Sequence, residues 1–293
     1  VTSWDPDVEQ PQKNYDMGRS YVSCVSEKTG YDKGCTDGFA KKDMGECRMD
    51  ILDSEMGYMG WYGSESYGLT WKVRGLCVDL SNLEIFDSVN VYGDIMNSEI
   101  HHMYFGIYSF GHQGGVWTNN KVHDNVQYGF DPHDDSDFIT ISDNEVYNNG
   151  NHGIIASKRC NDLTITNNHV HDHTGEIAAG IFLHRSSDDA VISGNIVENV
   201  PDAGIAIMES FGLRVYRNTF TNTKYGVRIS VGGSNNEIYD NTFEAASKYG
   251  FFTYEGSDLP FTDSNGRPKH NVFINNDVLD TTQGIKLGEA DDT

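Results

Sequence analysis

From about Ser98 onward the hydrophobic pattern keeps two markers in step. A glycine followed by an aliphatic or aromatic residue stands at Gly106, Gly129, Gly153, Gly180, Gly204, Gly226, Gly250 and Gly284, at spacings of 23, 24, 27, 24, 22, 24 and 34 residues. Between these glycines an asparagine precedes an apolar residue by two positions, at Asn120, Asn144, Asn168, Asn195, Asn218, Asn241 and Asn276. Two independent markers with one period indicate stacked structural repeats. Each unit contains short β-like runs, such as 139-ITI-141 and 153-GIIAS-157, separated by Asn, Asp and Gly turn chemistry. No unit has room for an amphipathic helix. A leucine-rich repeat of similar period would need several leucines per unit, whereas this chain supplies Ile, Val and Phe.

The pattern therefore predicts an all-β fold, a right-handed parallel β-helix over residues 75–293, preceded by an N-terminal cap region over 1–74, the two forming one continuous domain. The recurring asparagine falls at one turn of every coil, where stacked amides satisfy the backbone and one another. Alternation along the strand then assigns side chains by column. One and three residues after each repeat glycine are core positions, for example Ile107 and Ser109, Phe130 and Pro132, Ile154 and Ala156. Two and four residues after it face outward: Tyr108 and Phe110, Asp131 and His133, Ile155 and Ser157, Phe182 and His184. These pairs are expected to form one exposed strip, with coils about 4.8 Å apart.

The run 128-YGFDPHDD-135 breaks the pattern, placing a proline inside a strand-like position and four residues of Asp and His around it. Proline forfeits a ladder hydrogen bond. A local rule-break on an otherwise regular frame is where function is expected. Pro132 points inward and stiffens the backbone that aims Asp131 and His133 out of the strip.

Charge narrows the partner. Asp and Glu outnumber Lys and Arg by 44 to 21, a formal net charge of −23, which argues against nucleic acid. There is no apolar run near the ~18 residues of a membrane span. The chain begins at Val1 and is expected to be a trimmed, secreted form, extracellular or wall-associated. Cys24, Cys35, Cys47 and Cys77 cluster near the N-terminus, so two disulfides are expected in the cap, with three connectivities open and Cys160 left single. The histidines of 169-HVHDH-173 are expected to be solvated turn residues, with no metal bound, because nothing nearby in sequence completes a ligand set.

Aromatic residues along the strip suit an extended polymer, and local cations at Lys158, Arg159 and Arg185 suit an acidic one. With a uronic acid placed there, the C5 proton becomes removable once a cation neutralises the adjoining carboxylate; a base takes the proton and an acid returns one. Return to the opposite face inverts C5. Expulsion of the 4-O substituent cleaves the chain instead.

Here the residues carry a resemblance. The run 128-YGFDPHD-134 resembles the Tyr-Gly-x-Asp-Pro-His signature of mannuronan C5-epimerases, which convert mannuronate to guluronate within alginate, and 152-HGIIASK-158 resembles the following coil of the periplasmic bacterial branch. With its acidic, cysteine-bearing N-terminal region the chain looks most like the brown-algal members. The resemblance implies catalytic roles for His133, Tyr128 and Asp131, with Lys158 or Arg159 as the neutralising cation, Lys158 preferred. Tyr108, Phe110, His152, Phe182, His184 and Arg185 are the expected substrate contacts. The implied reaction requires no cofactor, a single bound calcium being left open, and the expected partner is polymannuronate, met by a monomer. The alternatives are a polyuronate lyase acting by β-elimination and a wall-polysaccharide binding protein without activity. The insertion 255-EGSDLPFTDSNGRPKH-270 is expected to fold over the edge of the groove.

Overall fold

The computed structural model describes residues 1–27, 45–63, 65–75, 83–262 and 264–291. The chain winds into a parallel β-helix whose three long sheets contain ten, nine and nine strands, each coil adding one strand to each sheet. In the ten-stranded sheet the order follows the sequence, from Val22–Glu27 and Gly68–Arg74 through Phe105–Phe110, Phe130–His133, Ile154–Ser157 and Ile181–His184 to Gln283–Leu287. Two rungs thus precede residue 75. The disulfide Cys24–Cys47 ties the first rung to a short flanking strand, Gly45–Arg48. The expected second bridge falls on Cys35 and Cys77, outside the described residues.

The inward columns hold, but of the pairs expected on an exposed strip Tyr108, Asp131, Ile155 and Ser157 are buried as well. Ile107, Phe130, Ile154, Ile181, Ile205, Val227 and Phe251 are fully buried, and so are Ser109, Ala156, Leu183, Ile207, Ile229 and Thr253. Only the last coil departs, where Ile285 and Leu287 are each 54% exposed. The repeat glycines are required by close approach: a Cβ on Gly129 would stand 2.5 Å from the carbonyl oxygen of Gly153 on the next coil.

The asparagines form the expected ladder. Each Oδ1 accepts from the backbone N–H and the side-chain amide of the asparagine one coil earlier, as in Asn144 N to Asn168 Oδ1 at 3.1 Å and Asn144 Nδ2 to Asn168 Oδ1 at 2.9 Å. A second, shorter ladder runs through Asn125 and Asn149 and ends on His173, whose Nδ1 accepts from the Asn149 N–H at 3.2 Å. His173 is therefore buried ladder structure. His169 and His171 lie on the strand His169–His171 rather than in a turn.

Candidate active site

Phe130–His133 pairs with the preceding strand at all four residues, Tyr108 beside Asp131 and Phe110 beside His133. Toward the following coil it pairs only at Phe130 with Ile154 and His133 with Ser157. The gap at Asp131 and Pro132 is the local cost of the proline. The carbonyl of Pro132 accepts instead from the buried thiol of Cys160, whose Sγ lies 3.3 Å away.

After the strand the chain turns through two left-handed residues, Asp134 and Asp135, and the next coil repeats this at Lys158 and Arg159. Left-handed pairs of non-glycine residues are strained. Here they project two carboxylates and two cations into the same small volume. Nδ1 of His133 lies 2.5 Å from Oδ2 of Asp134. Arg159 donates from Nε to Asp135 Oδ1 at 2.9 Å and from Nη2 to Asp134 Oδ1 at 3.0 Å. Burial alone would depress the His133 imidazolium, but the pairing with Asp134 and the field of Asp131 outweigh it and hold its pKa above the usual 6.5. Asp134 is also a partly desolvated group, yet His133, Lys158 and Arg159 hold it below the ordinary carboxylate range.

Arg159 is therefore committed to Asp134 and Asp135. Lys158 makes no hydrogen bond or ion pair among the described residues, and its charge acts on Asp131, His133 and Asp134. Of the two candidate cations, it is the one with capacity to spare.

Asp131 differs from expectation. It points out of the sheet, but it is 0% exposed, and neither carboxylate oxygen has a hydrogen-bond partner. Burial pushes its pKa up to about 7, with His133 and Lys158 pulling the other way. Tyr108, expected on an exposed strip, is only 4% exposed. Its ring packs 5.0 Å from Tyr67 and 5.5 Å from His133. Phe110 likewise packs against Phe86 and the core. These two aromatics are site walls rather than open stacking platforms, because N-terminal residues cover them. Glu65 and Tyr67 belong to this cover, as does Lys72, which pairs in register with Phe110 and lies 3.4 Å from Glu65. None of the three was legible in the repeat, which becomes readable only after them.

Tyr128 stacks flat on His152, centroids 5.5 Å apart, and tilts against Phe105. Burial, reinforced by Asp131, pushes its pKa up to about 12, so the phenol keeps its proton. His152 is buried, accepts from the Ala179 N–H at 3.0 Å and is driven down to about 3 by burial. It supports the Tyr128 ring as a neutral imidazole. Phe182 packs between His152 and His184. His184 contacts Ser157 Oγ at 3.2 Å, and burial with Arg185 and Lys158 nearby pulls it down to about 4.

Arg185, an expected substrate contact, is held by the insertion. The guanidinium bonds Glu209 at 3.1 Å and the Leu259 carbonyl at 3.0 Å, with the Phe261 ring 3.9 Å below it. Thr262 clamps the other oxygen of buried Glu209. The expected folding of 255–270 over the groove edge is what fixes Arg185.

Beyond this edge lies a cavity of about 490 Å³ lined by Phe182, Tyr225, Phe252 and Tyr254, with Lys224, Arg228 and Lys248 among its walls. Arg228 bonds Asp202 at 2.9 Å and Tyr254 Oη at 2.7 Å. Sequence reasoning does not single out these three cations. Their signal was positional: Arg228 stands two residues after a repeat glycine, and Lys224 and Lys248 two before one.

Residues 90–253 and 171–292 match the family described as periplasmic copper-binding protein (NosD), in two overlapping passes along the coils. The chain belongs to that family. Within this NosD-family chain, 215 residues, 73% of its length, are 28% identical to a mannuronan C5-epimerase of Pseudomonas putida, covering 40% of that protein. A second relative, mannuronan C5-epimerase AlgG of Azotobacter vinelandii, is 32% identical over 148 residues, 43% of this chain and 28% of its own. The chain thus spans less than half the length of these curated relatives. A crystal structure of a variant of the periplasmic alginate epimerase AlgG superimposes with a TM-score of 0.72 at 21% identity, covering 98% of this chain and 67% of that one, which establishes the shared β-helix. The resemblance read from 128–134 is borne out, through bacterial proteins rather than the brown-algal branch the sequence suggested.

Proposed function

We propose that this β-helix is a mannuronan C5-epimerase module, acting on polymannuronate laid along the groove centred on His133. The observation that carries the reading is the grouping of His133, Asp131 and the uncommitted Lys158 beside a protonated Tyr128. Lys158 neutralises the uronate carboxylate, which lowers the barrier to forming an enolate at C5. His133, oriented by Asp134 and held above its usual 6.5, suits the base that takes the C5 proton once it is neutral; the C–H electron pair passes into the enolate. Tyr128, protonated up to about 12, suits the acid that returns a proton to the other face, remaking C5–H with inverted configuration. Asp131, buried beside His133, suits a positioning role, its charge acting on the imidazole. Solvent exchange resets the two groups. None of these steps calls for a cofactor.

Lys224, Arg228, Lys248 and the aromatic walls extend the groove toward the C-terminal coils, where further uronate units would be held. The disulfide Cys24–Cys47 supports an oxidising, secreted or periplasmic setting. The test is a proton NMR time course with polymannuronate in deuterated buffer. Guluronate signals with deuterium at C5 and no unsaturated ends are expected. Unsaturated ends would reassign the module as a lyase, and an unchanged spectrum would reject both.

A further inference from the structure

We propose that Glu145, His169, His171 and Glu198 form a binding site for one borderline divalent transition metal ion, on a different sheet from the groove. Three adjacent strands supply it: Glu145–Tyr147, His169–His171 and Ile196–Glu198, with Glu145 in register beside His169 and His171 beside Glu198. All four side chains leave the same face. One ligand atom each from Glu145, His169 and His171 lies within 4.8 Å of the others. Nε2 of His169 is 2.7 Å from Glu198 Oε1, and Nε2 of His171 is 3.7 Å from Glu145 Oε1.

The two imidazoles stack 4.2 Å apart between these carboxylates. What distinguishes His171 is its second nitrogen. Nδ1 is engaged by Asp172 Oδ2 at 2.7 Å, and Asp172 is itself held by the Asn199 amide at 3.0 Å. Nε2 is buried and has no hydrogen-bond partner. A carboxylate on one imidazole nitrogen with the other left open is the arrangement that orients a metal-ligating histidine. Two coils earlier, His123 shows the closed alternative: its Nδ1 and Nε2 are both taken, by Asp124 at 2.7 Å and Glu99 at 3.0 Å. Tyr147 stacks flat on His171, centroids 5.2 Å apart, and fixes the plane of the ring.

The donor set selects the ion class. Two imidazoles with two carboxylates suit Zn²⁺, Cu²⁺ or Ni²⁺, whereas Ca²⁺ and Mg²⁺ favour all-oxygen shells. Two carboxylate charges balance a divalent ion. Bound there, it would staple three successive coils and stabilise the folded chain by mass action.

The test is isothermal titration of the chelator-treated chain with ZnCl₂ alone, alongside melting curves with and without the metal. One equivalent should bind, with a higher Tm. His169→Ala and His171→Ala should each weaken binding by more than about tenfold, and Asp172→Asn by about tenfold. Glu145→Gln keeps the side-chain volume and should weaken binding even if a histidine variant folds poorly. Non-saturating binding, or binding unchanged in Glu145→Gln and both histidine variants, would overturn the site. Tighter binding of CaCl₂ than of ZnCl₂ would overturn the assigned metal class.

Discussion

His133 Nδ1 stands 2.5 Å from Asp134 Oδ2, so the imidazole that faces the groove is tied to a carboxylate that Arg159 also holds. A base must be neutral to act, and this pairing raises the pH at which His133 becomes neutral. The rate should therefore climb as pH rises through a value above the ordinary 6.5 of histidine. Asp134→Asn removes the largest raising influence and should move that acid limb to lower pH. His133→Ala should lower kcat by about 10²–10⁴ while the circular dichroism spectrum stays native. A limb that stays put in Asp134→Asn would exclude His133 as the titrating base.

Lys158 and Arg159 are neighbours with separate work. Lys158→Ala should lower kcat by about 10²–10³, the loss typical of one charge-stabilising group, with little change in Tm. Arg159→Ala strands Asp134 and Asp135 without their cation. It should lower Tm, and the acid limb should shift with it. Steady-state kinetics and calorimetry on the two variants separate the assignments; the opposite pattern would exchange them.

Asp131 links activity to stability. Its folded pKa of about 7 lies above the carboxylate's ordinary 3.8. The folded state therefore binds a proton that the unfolded state has released, and stability falls as pH rises from about 4 to 7. Asp131→Asn abolishes this titration. The variant should melt higher than the parent at pH 8, with the gain shrinking toward pH 4, while turnover falls. A gain independent of pH would rule out the buried charge as its origin.

The asparagine ladder lies at the turn between the two nine-stranded sheets. Asn168 donates to Ile141 O at 2.9 Å and accepts from the Asn144 N–H and side-chain amide. Asn168→Ala leaves these buried groups unpaired and should cost about 3 kcal/mol. Glu237→Ala, at an exposed strand position with no side-chain hydrogen bond or ion pair among the described residues, should cost under about 0.5 kcal/mol. Denaturant titration distinguishes them, and equal costs would dismiss the ladder as a source of stability.

The fold was legible because its period was written twice, in glycine and in asparagine, and the columns Ile107 to Phe251 followed by counting. His133, Tyr128 and Lys158 were legible because they depart from those columns. Burial was not. Tyr108 and Asp131 have outward parity, but residues such as Glu65 and Tyr67 close over them from a stretch with no repeat to count. The partners of Arg185 were not legible for a related reason: Asp258 and Leu259 lie over 70 positions away, on an insertion whose path no local pattern encodes. Glu145 and Glu198 escaped notice beside 169-HVHDH-173 because neighbours in this fold are one coil apart, not one residue apart.

The ladder also absorbs length. Most of its steps cross 23 to 27 residues, yet Asn236 meets Asn271, and Asn241 meets Asn276, across 35. The extra chain leaves at a turn and returns without disturbing the next rung. Pitch and fittings are thus separable: the rise per coil stays fixed at about 4.8 Å, while the loops that leave at the turns can change length without disturbing it.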